Sequence, residues 1–339
     1  MGFEDFWYIV ALSDRLRPNT VLARIILDEW LVIFRDKDGQ AVALRDRCLH
    51  RHSRLSQGQV CQGTLQCPYH GWVYDREGNV VAIPAEGTAF KQEKSRQVKR
   101  YDTCEQDGYI YVRLSATPKS SRPFAMPHYR ETGWETVRTI NRFANNVTNC
   151  VENFIDIPHT AFVHPGIFRT ARQQQLAMQV ERRQGAVLVE YHHETNNLGW
   201  YTRFLNGQGA EIKHRDCFYM PNITSVEYIL GRDRQLLITS QSIPETELST
   251  LVYTDVTYNY GLWNQLARPL VWWTAQRIIH QDIKILGIQG EAIAKYGTKF
   301  AHTPADTIHV FVESIRAAIA QGKDPRELPD RSVSVTFWV

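Results

Sequence analysis

Two short loops limit what this chain can fold into more than any other feature: Cys48-Leu49-His50 and Cys67-Pro68-Tyr69-His70, separated by residues 51–66. Thiolates and imidazoles ligate soft and borderline metals, so two of each on neighbouring loops define a four-ligand site that the backbone must build. A set of two Cys and two His can hold Zn²⁺ tetrahedrally, which is the plainest reading. Zinc fingers, however, usually group Cys with Cys and His with His, whereas each loop here offers one of each. The six Cys of the 339 residues, at 48, 61, 67, 104, 150 and 217, are too sparse for a disulfide framework.

The mixture suits a Rieske [2Fe–2S] cluster, in which one iron takes two Cys and the other takes two His. If each loop gives one ligand to each iron, the loops grip the cluster symmetrically. The flanking text, CLHRHSRLSQGQV and then LQCPYHGWVYDREGNV, resembles the Rieske domain of ring-hydroxylating and demethylating oxygenases over residues 5–115. That resemblance implies Cys48, His50, Cys67 and His70 as cluster ligands. Rieske proteins of respiratory complexes carry an extra Cys on each loop; Ser53 and Tyr69 stand at those places here, which disfavours that subclass. Cys61 falls outside the pattern and reads as a buried or incidental thiol. Trp72 and Tyr74 are expected to pack around the loops, and His52 to lie at the surface.

Residues 1–115 read as β-rich. Val21–Leu27, Leu31–Phe34, Ala41–Leu44, Val80–Ile83 and Tyr109–Leu114 are strand-like, with turn signals at Asp38-Gly39, Asp75–Asn79 and Asp107-Gly108. Short strands at that spacing suggest a small sandwich or barrel. The Pro- and Ser-rich stretch Ser115–Pro127 reads as a linker, dividing the chain into 1–118 and 119–339. The second part mixes strand-like runs, such as Ala186–His192 and Leu251–Tyr260, with a long helix over Leu262–Ala294. A further helix opens at Thr303-Pro304-Ala305-Asp306 and runs to Gln321. The fold class expected is α+β: an all-β first domain and a second domain of antiparallel sheet plus helices.

A Rieske centre passes single electrons and does no substrate chemistry alone, so a second site is sought. Glu152-Asn153-Phe154-Ile155-Asp156-Ile157-Pro158-His159 is followed by His164. A helix broken near Pro158 could bring both imidazoles to one ion. Two His and a carboxylate form the facial triad of non-haem Fe(II) oxygenases, with positions left open for O₂. The third ligand is read as Asp282. Ile278, Ile279, Ile285 and Leu286 lie three or four residues away and put it on an apolar helix face, opposite Arg277, Gln281 and Lys284. A carboxylate there needs a metal or an ion-pair partner. Glu152 is the next candidate.

Together, N-F-x-D-x-x-H-x-x-x-x-H, the later Q-D-I-K-I-L and the chain length resemble the catalytic subunit of Rieske non-haem iron oxygenases, in the vanillate, dicamba and caffeine demethylase group. The resemblance implies a helix-grip catalytic domain, mononuclear Fe(II) with O₂ as co-substrate, and a head-to-tail homotrimer. It also implies electrons from a separate NAD(P)H-dependent reductase or ferredoxin; no dinucleotide fingerprint or plant-type ferredoxin Cys run appears in this chain. Asp156 holds the place of the acid that links His159 to a Rieske His, His70 by motif order, of the neighbouring subunit. On a helical turn it would share a face with His159. Leu49 stands where relatives often carry Pro, at a position that is not a ligand.

Charge and hydropathy exclude other classes. Lys plus Arg number 39 against 36 acids, a balance that argues for neither nucleic acid nor a membrane surface. No apolar run is long enough to span a bilayer, and the N-terminus carries neither a secretory nor a myristoylation pattern, so a cytoplasmic location is expected. The competing readings are a Rieske electron carrier or sensor without oxygenase activity, and a zinc-stabilised binding module, which would be colourless. The substrate is expected to be a small, aromatic or heterocyclic molecule, by analogy alone. Trp200, Tyr201, Arg203, Phe218 and Tyr219 are pocket candidates by region.

Overall fold

A computed structural model describes residues 1–115, 122–167, 174–192, 212–230 and 234–339. They form two compact units, residues 4–125 and residues 126–339 together with 1–3. The boundary read at 118/119 lies outside the described residues, as do Trp200, Tyr201 and Arg203.

The first unit is all β. Six antiparallel strands run in the order β1 (Trp7–Leu12), β10 (Tyr109–Arg113), β9 (Arg100–Gln106), β4 (Ala41–Arg45), β3 (Glu29–Arg35) and β2 (Leu22–Ile26). A smaller sheet orders β5 (Gln59–Cys61), β6 (Thr64–Gln66), β7 (Val73–Tyr74) and β8 (Val80–Ala82). The expected strands are present, with ends shifted by a residue or two. Leu31–Phe34 are all buried, as a continuous apolar run covered on both faces should be. The turns rest on Asx geometry: Asp36 Oδ1 accepts from the Asp38 and Gln40 amides, and Asp75 Oδ1 from those of Glu77 and Asn79. The loop after β4 carries Cys48 and His50; the loop between β6 and β7 carries Cys67 and His70.

The second unit is α+β. Its eight-stranded antiparallel sheet is ordered β11 (Glu135–Phe143), β17 (Ser249–Asn259), β16 (Arg234–Thr246), β15 (Ile223–Leu230), β14 (Lys213–Tyr219), β13 (Ala186–His192), β12 (Gln175–Arg183) and β18 (Arg331–Trp338). Along β12 buried and more open residues alternate, while β17 is buried at almost every position. The helices are α1 (Val147–Ile155), α2 (His159–Val163), α3 (Asn264–Tyr296) and α4 (Thr307–Ala320). Among the described residues no helix is long and apolar enough to cross a membrane. The break expected near Pro158 comes earlier. Helix α1 ends at Ile155, Asp156 is extended at φ −91° and ψ 113°, and Pro158 caps α2. Asp156 therefore does not share a helical turn with His159: it is the extended residue that ends α1, and the proline in turn disfavours helical backbone at Ile157. The Thr303–Asp306 capping box forms as expected, around a 3₁₀ turn that leads into α4.

One contact seats α3. Asn145, fully buried, donates from Nδ2 to Leu286 O at 2.8 Å and to Gln289 Oε1 at 2.9 Å. Its own carbonyl accepts from Thr250 Oγ1 at 2.9 Å, and its Oδ1 from Asn149 Nδ2 at 2.9 Å. One residue before it, the Ala144 carbonyl lies against Gly290, where an added Cβ would stand 2.0 Å from that oxygen. Glycine thus lets α3 lie directly on the backbone that opens α1. Gly290→Ala should destabilise this unit by about 1–3 kcal/mol through overpacking. Gly287→Ala, whose Cβ meets nothing within 4 Å, should gain up to about 1 kcal/mol from helix propensity. Urea unfolding of both variants checks the opposite signs; equal effects would remove the close approach as the constraint.

Candidate metal centres

In the first unit Cys48 and Cys67 are buried, 1% and 3% exposed, inside a core that includes Phe34, Leu55, Leu65 and Tyr74. Each loop is tied to itself: the Cys48 amide donates to Ser53 O at 2.9 Å, and the Cys67 amide to Trp72 O at 2.8 Å. Buried Asp46 braces the first loop by accepting from Arg54 Nε at 2.8 Å, the Ser56 amide at 2.7 Å and Ser56 Oγ at 2.6 Å. The Tyr74 hydroxyl donates to Cys48 Sγ at 3.1 Å and accepts from the Leu49 amide at 3.0 Å. The His50 and His70 rings stand 4.4 Å apart, and Trp72 stacks on His50 at 5.0 Å.

Burial pushes the Cys48 thiol above its ordinary range, against the lowering effect of Tyr74 and the His50 amide, and nearby Cys67 adds to the rise. A thiol so placed ionises readily only beside a cation. Burial and neighbouring His70 and Arg51 lower His50, favouring the neutral ligand form. Its Nδ1 is buried without a hydrogen-bond partner, an orphan that a metal bond would satisfy. These residues fit a Rieske cluster. Cys61 is exposed, so it is incidental and not buried. His52 is exposed as expected.

In the second unit one atom each from His159, His164 and Asp282 lies within 4.8 Å of the others. His164 Nε2 is 3.0 Å, and His159 Nε2 3.8 Å, from the same oxygen, Asp282 Oδ1. Both Nε2 atoms face inward because both Nδ1 atoms are held from outside. His159 Nδ1 donates to Asp156 Oδ2 at 3.2 Å, and His164 Nδ1 donates to Gln281 Oε1 at 2.9 Å. Outer partners of this kind fix the tautomer of a metal-ligating His. Burial alone would lower His159, but Asp156 and Asp282 outweigh it and hold the imidazole above its usual value. Asn153 adds its amide, with Nδ2 3.2 Å from His159 Nε2 and 3.5 Å from Asp282 Oδ1, while its Oδ1 is buried without a partner. The donor set fits a divalent iron ion.

Some sequence expectations need correction. Ile279 and Leu286 are buried beside Asp282, but Ile285 is 42% exposed. Gln281, expected on the polar side, is half-buried against His164. A helix of 33 residues with partners on more than one side does not divide into two clean faces. Glu152 turns away from the triad: its Oε2 lies 3.0 Å from His309 Nδ1.

The triad lies at an apolar pocket walled by Val226, Leu236, Ile238, Val256, Val271 and Ile278. It encloses about 860 Å³ counting its open mouth, room for one small organic molecule. Phe218 and Tyr219 do not line it; His214 and Asp216, on the same strand, do. His214 is stacked between Tyr191 and Tyr228, with Nε2 3.0 Å from Asp216 Oδ1, whose other oxygen accepts from Tyr191 OH at 3.0 Å. A His-x-Asp pair at alternate positions of a strand-like run was the signal available.

A thiol–imidazole cradle in an all-β unit, followed by a helix-bordered sheet with a two-His-one-carboxylate set, defines a two-unit protein with two separate sets of metal-ligating side chains. Residues 6–102 match the Rieske [2Fe-2S] domain and residues 143–337 the vanillate O-demethylase oxygenase C-terminal domain, and the chain belongs to that family. Among curated relatives, Protein TIC 55, chloroplastic, of Arabidopsis thaliana is 29% identical over 51% of this chain and 32% of its own. The matched region thus spans about a third of that relative. The oxygenase component of dicamba O-demethylase from Stenotrophomonas maltophilia is 28% identical over 82% of this chain and 85% of its own. The crystal structure of dicamba monooxygenase bound to dicamba superposes with a TM-score of 0.81, at 22% identity, over 95% of this chain and 98% of the other. That likeness shows the α+β fold.

Tyr74→Phe should leave the cluster assembled but lower its reduction potential. Losing one hydrogen bond to a ligand sulfur, worth roughly 1 kcal/mol, corresponds to about 40 mV for one electron. Protein-film voltammetry measures it; an unchanged potential would mean the hydroxyl does not act on the cluster.

Proposed function

We propose that this chain is the terminal oxygenase of a Rieske non-haem iron system, using O₂ and reductase-supplied electrons to hydroxylate, or O- or N-demethylate, a small aromatic or heterocyclic molecule. The observation that carries the reading is the convergence of His159 Nε2 and His164 Nε2 on one oxygen of Asp282 at an apolar pocket, in a chain that also holds a Rieske domain. We assign Cys48, His50, Cys67 and His70 to the cluster, and His159, His164 and Asp282 to mononuclear iron. An iron ion at that triad supplies the oxygen chemistry, fed with single electrons that start on NAD(P)H and pass through a separate reductase or ferredoxin.

The protein's own part is positioning. Asp156 and Gln281 keep both Nδ1 protons on the outer side, so each Nε2 presents a lone pair inward. The aliphatic walls exclude water and favour a planar apolar substrate, while His214 and Asp216 give the pocket a polar spot able to orient it. Asp156 is 30% exposed at its side chain, so it can accept from His159 and also from a donor outside its own unit. We infer that this donor is His70 of the partner subunit in a head-to-tail homotrimer. A cytoplasmic location is part of the same proposal.

NADH-coupled O₂ uptake with a surrogate reductase, across aromatic, methoxy and N-methyl compounds, tests the activity. A product with substrate-dependent uptake is expected; no uptake with any compound favours an electron carrier or sensor. His159→Ala and Asp282→Ala should keep the visible cluster spectrum yet lose mononuclear iron and turnover, while Cys67→Ala should bleach the cluster. The reverse pattern would exchange the two assignments. Asp156→Asn should retain both metals and the trimer but lose most turnover, its reduced cluster staying reduced when substrate and O₂ are added. Rapid reoxidation coupled to product in that variant would sink the bridging role.

A further inference from the structure

A second His–carboxylate cluster lies on the other side of α1. His309 and Glu313 are one helical turn apart on α4, and His302 lies just before the capping box that starts that helix. One ligand atom of each lies within 4.8 Å of the others. His309 is 2% exposed, and its two ring nitrogens face two different acids: Nε2 is 3.2 Å from Glu313 Oε1, and Nδ1 is 3.0 Å from Glu152 Oε2. Both distances suit ion pairs, yet neither nitrogen makes a hydrogen bond of acceptable geometry. A buried imidazole left that way is costly.

We propose that His302, His309 and Glu313 bind a divalent transition ion of the zinc type, with Glu152 as the outer carboxylate that receives the proton of His309 Nδ1. Three features support this. Two ligand atoms each about 2.1 Å from a tetrahedral ion stand about 3.4 Å apart, close to the 3.2 Å separation of His309 Nε2 and Glu313 Oε1. The order carboxylate, His, then metal is the usual outer support of a ligating imidazole, and Glu152 Oε2, 3.0 Å from His309 Nδ1, stands near enough to take that part once an ion fixes the ring. His302 is exposed and Glu313 is half-buried, so an ion can enter from solvent and keep water as its fourth ligand. A bound ion would pin residue 302 to α4 and, through Glu152, brace α1 one residue before Asn153. The inference does not rest on the oxygenase reading.

The alternative is a protonated His309 sandwiched between two acids, with no metal. Zinc titration of the iron-replete protein against a chromophoric chelator, with iron counted in parallel, separates the two. The wild-type chain should take up one zinc without losing iron. His302→Ala and Glu313→Gln, which alter an exposed and a half-buried side chain, should bind it at least tenfold more weakly with iron content and cluster spectrum unchanged. Zinc uptake only as iron leaves, or equal zinc affinity in wild type and both variants, would overturn the site.

Discussion

The seating of α3 on the turn between β11 and α1 governs the second unit. Asn145 satisfies a carbonyl of α3 and an amide side chain two turns beyond Asp282, while its carbonyl and Oδ1 tie the same turn to β17 and α1. Gly290 removes the one side chain that would hold the backbones apart. Asp282 and Gln281 belong to α3, whereas His159 and His164 follow α1. The distance between Asp282 and the two histidines therefore depends on a contact that involves none of them. A buried amide with all its bonds made is a strong locator, since leaving any of them unmade costs about 1–3 kcal/mol.

Much of this was legible because the chemistry is local in sequence. The cluster loops announce themselves by residue type, and the hairpin turns around them by Asp-Gly and Asx signals. The burial of Asp282 could be foreseen because Ile279 and Leu286 mark its helix face. What failed has physical reasons. Helical periodicity assumes one wet and one dry side, but α3 is half-buried at Gln281 and open at Ile285. Helical spacing also suggested why Asp156 should meet His159. The contact exists, but it forms from extended backbone ahead of Pro158, as an acid reaching forward to a short helix start.

Other features were out of reach. Whether Glu152 faces the triad or α4 depends on how two helices pack, and neighbouring positions on α1 serve opposite sides: Asn153 meets His159, and Glu152 meets His309. On β14, the choice between His214 with Asp216 and Phe218 as pocket wall depends on where the strand passes the cavity mouth, because all three share one face. Strand β18 carries a clear alternation of its own, yet its partner β12 lies far upstream in the chain.

The separation of the ligands has a consequence in polymer terms. The cluster loops are joined by residues 51–66, so an ion cluster gripping both closes a short ring, comparable to a cross-link worth about 3 kcal/mol on a chain-entropy argument. His164 and Gln281, the neighbour of Asp282, are 117 residues apart, and an ion joining the triad would close a ring nearer the range where that argument gives about 4–5 kcal/mol. Mononuclear iron on these ligands would then act as a long-range staple as well as a reaction centre. Its loss would loosen the whole sheet-and-helix unit, whereas loss of the cluster would relax mainly two loops.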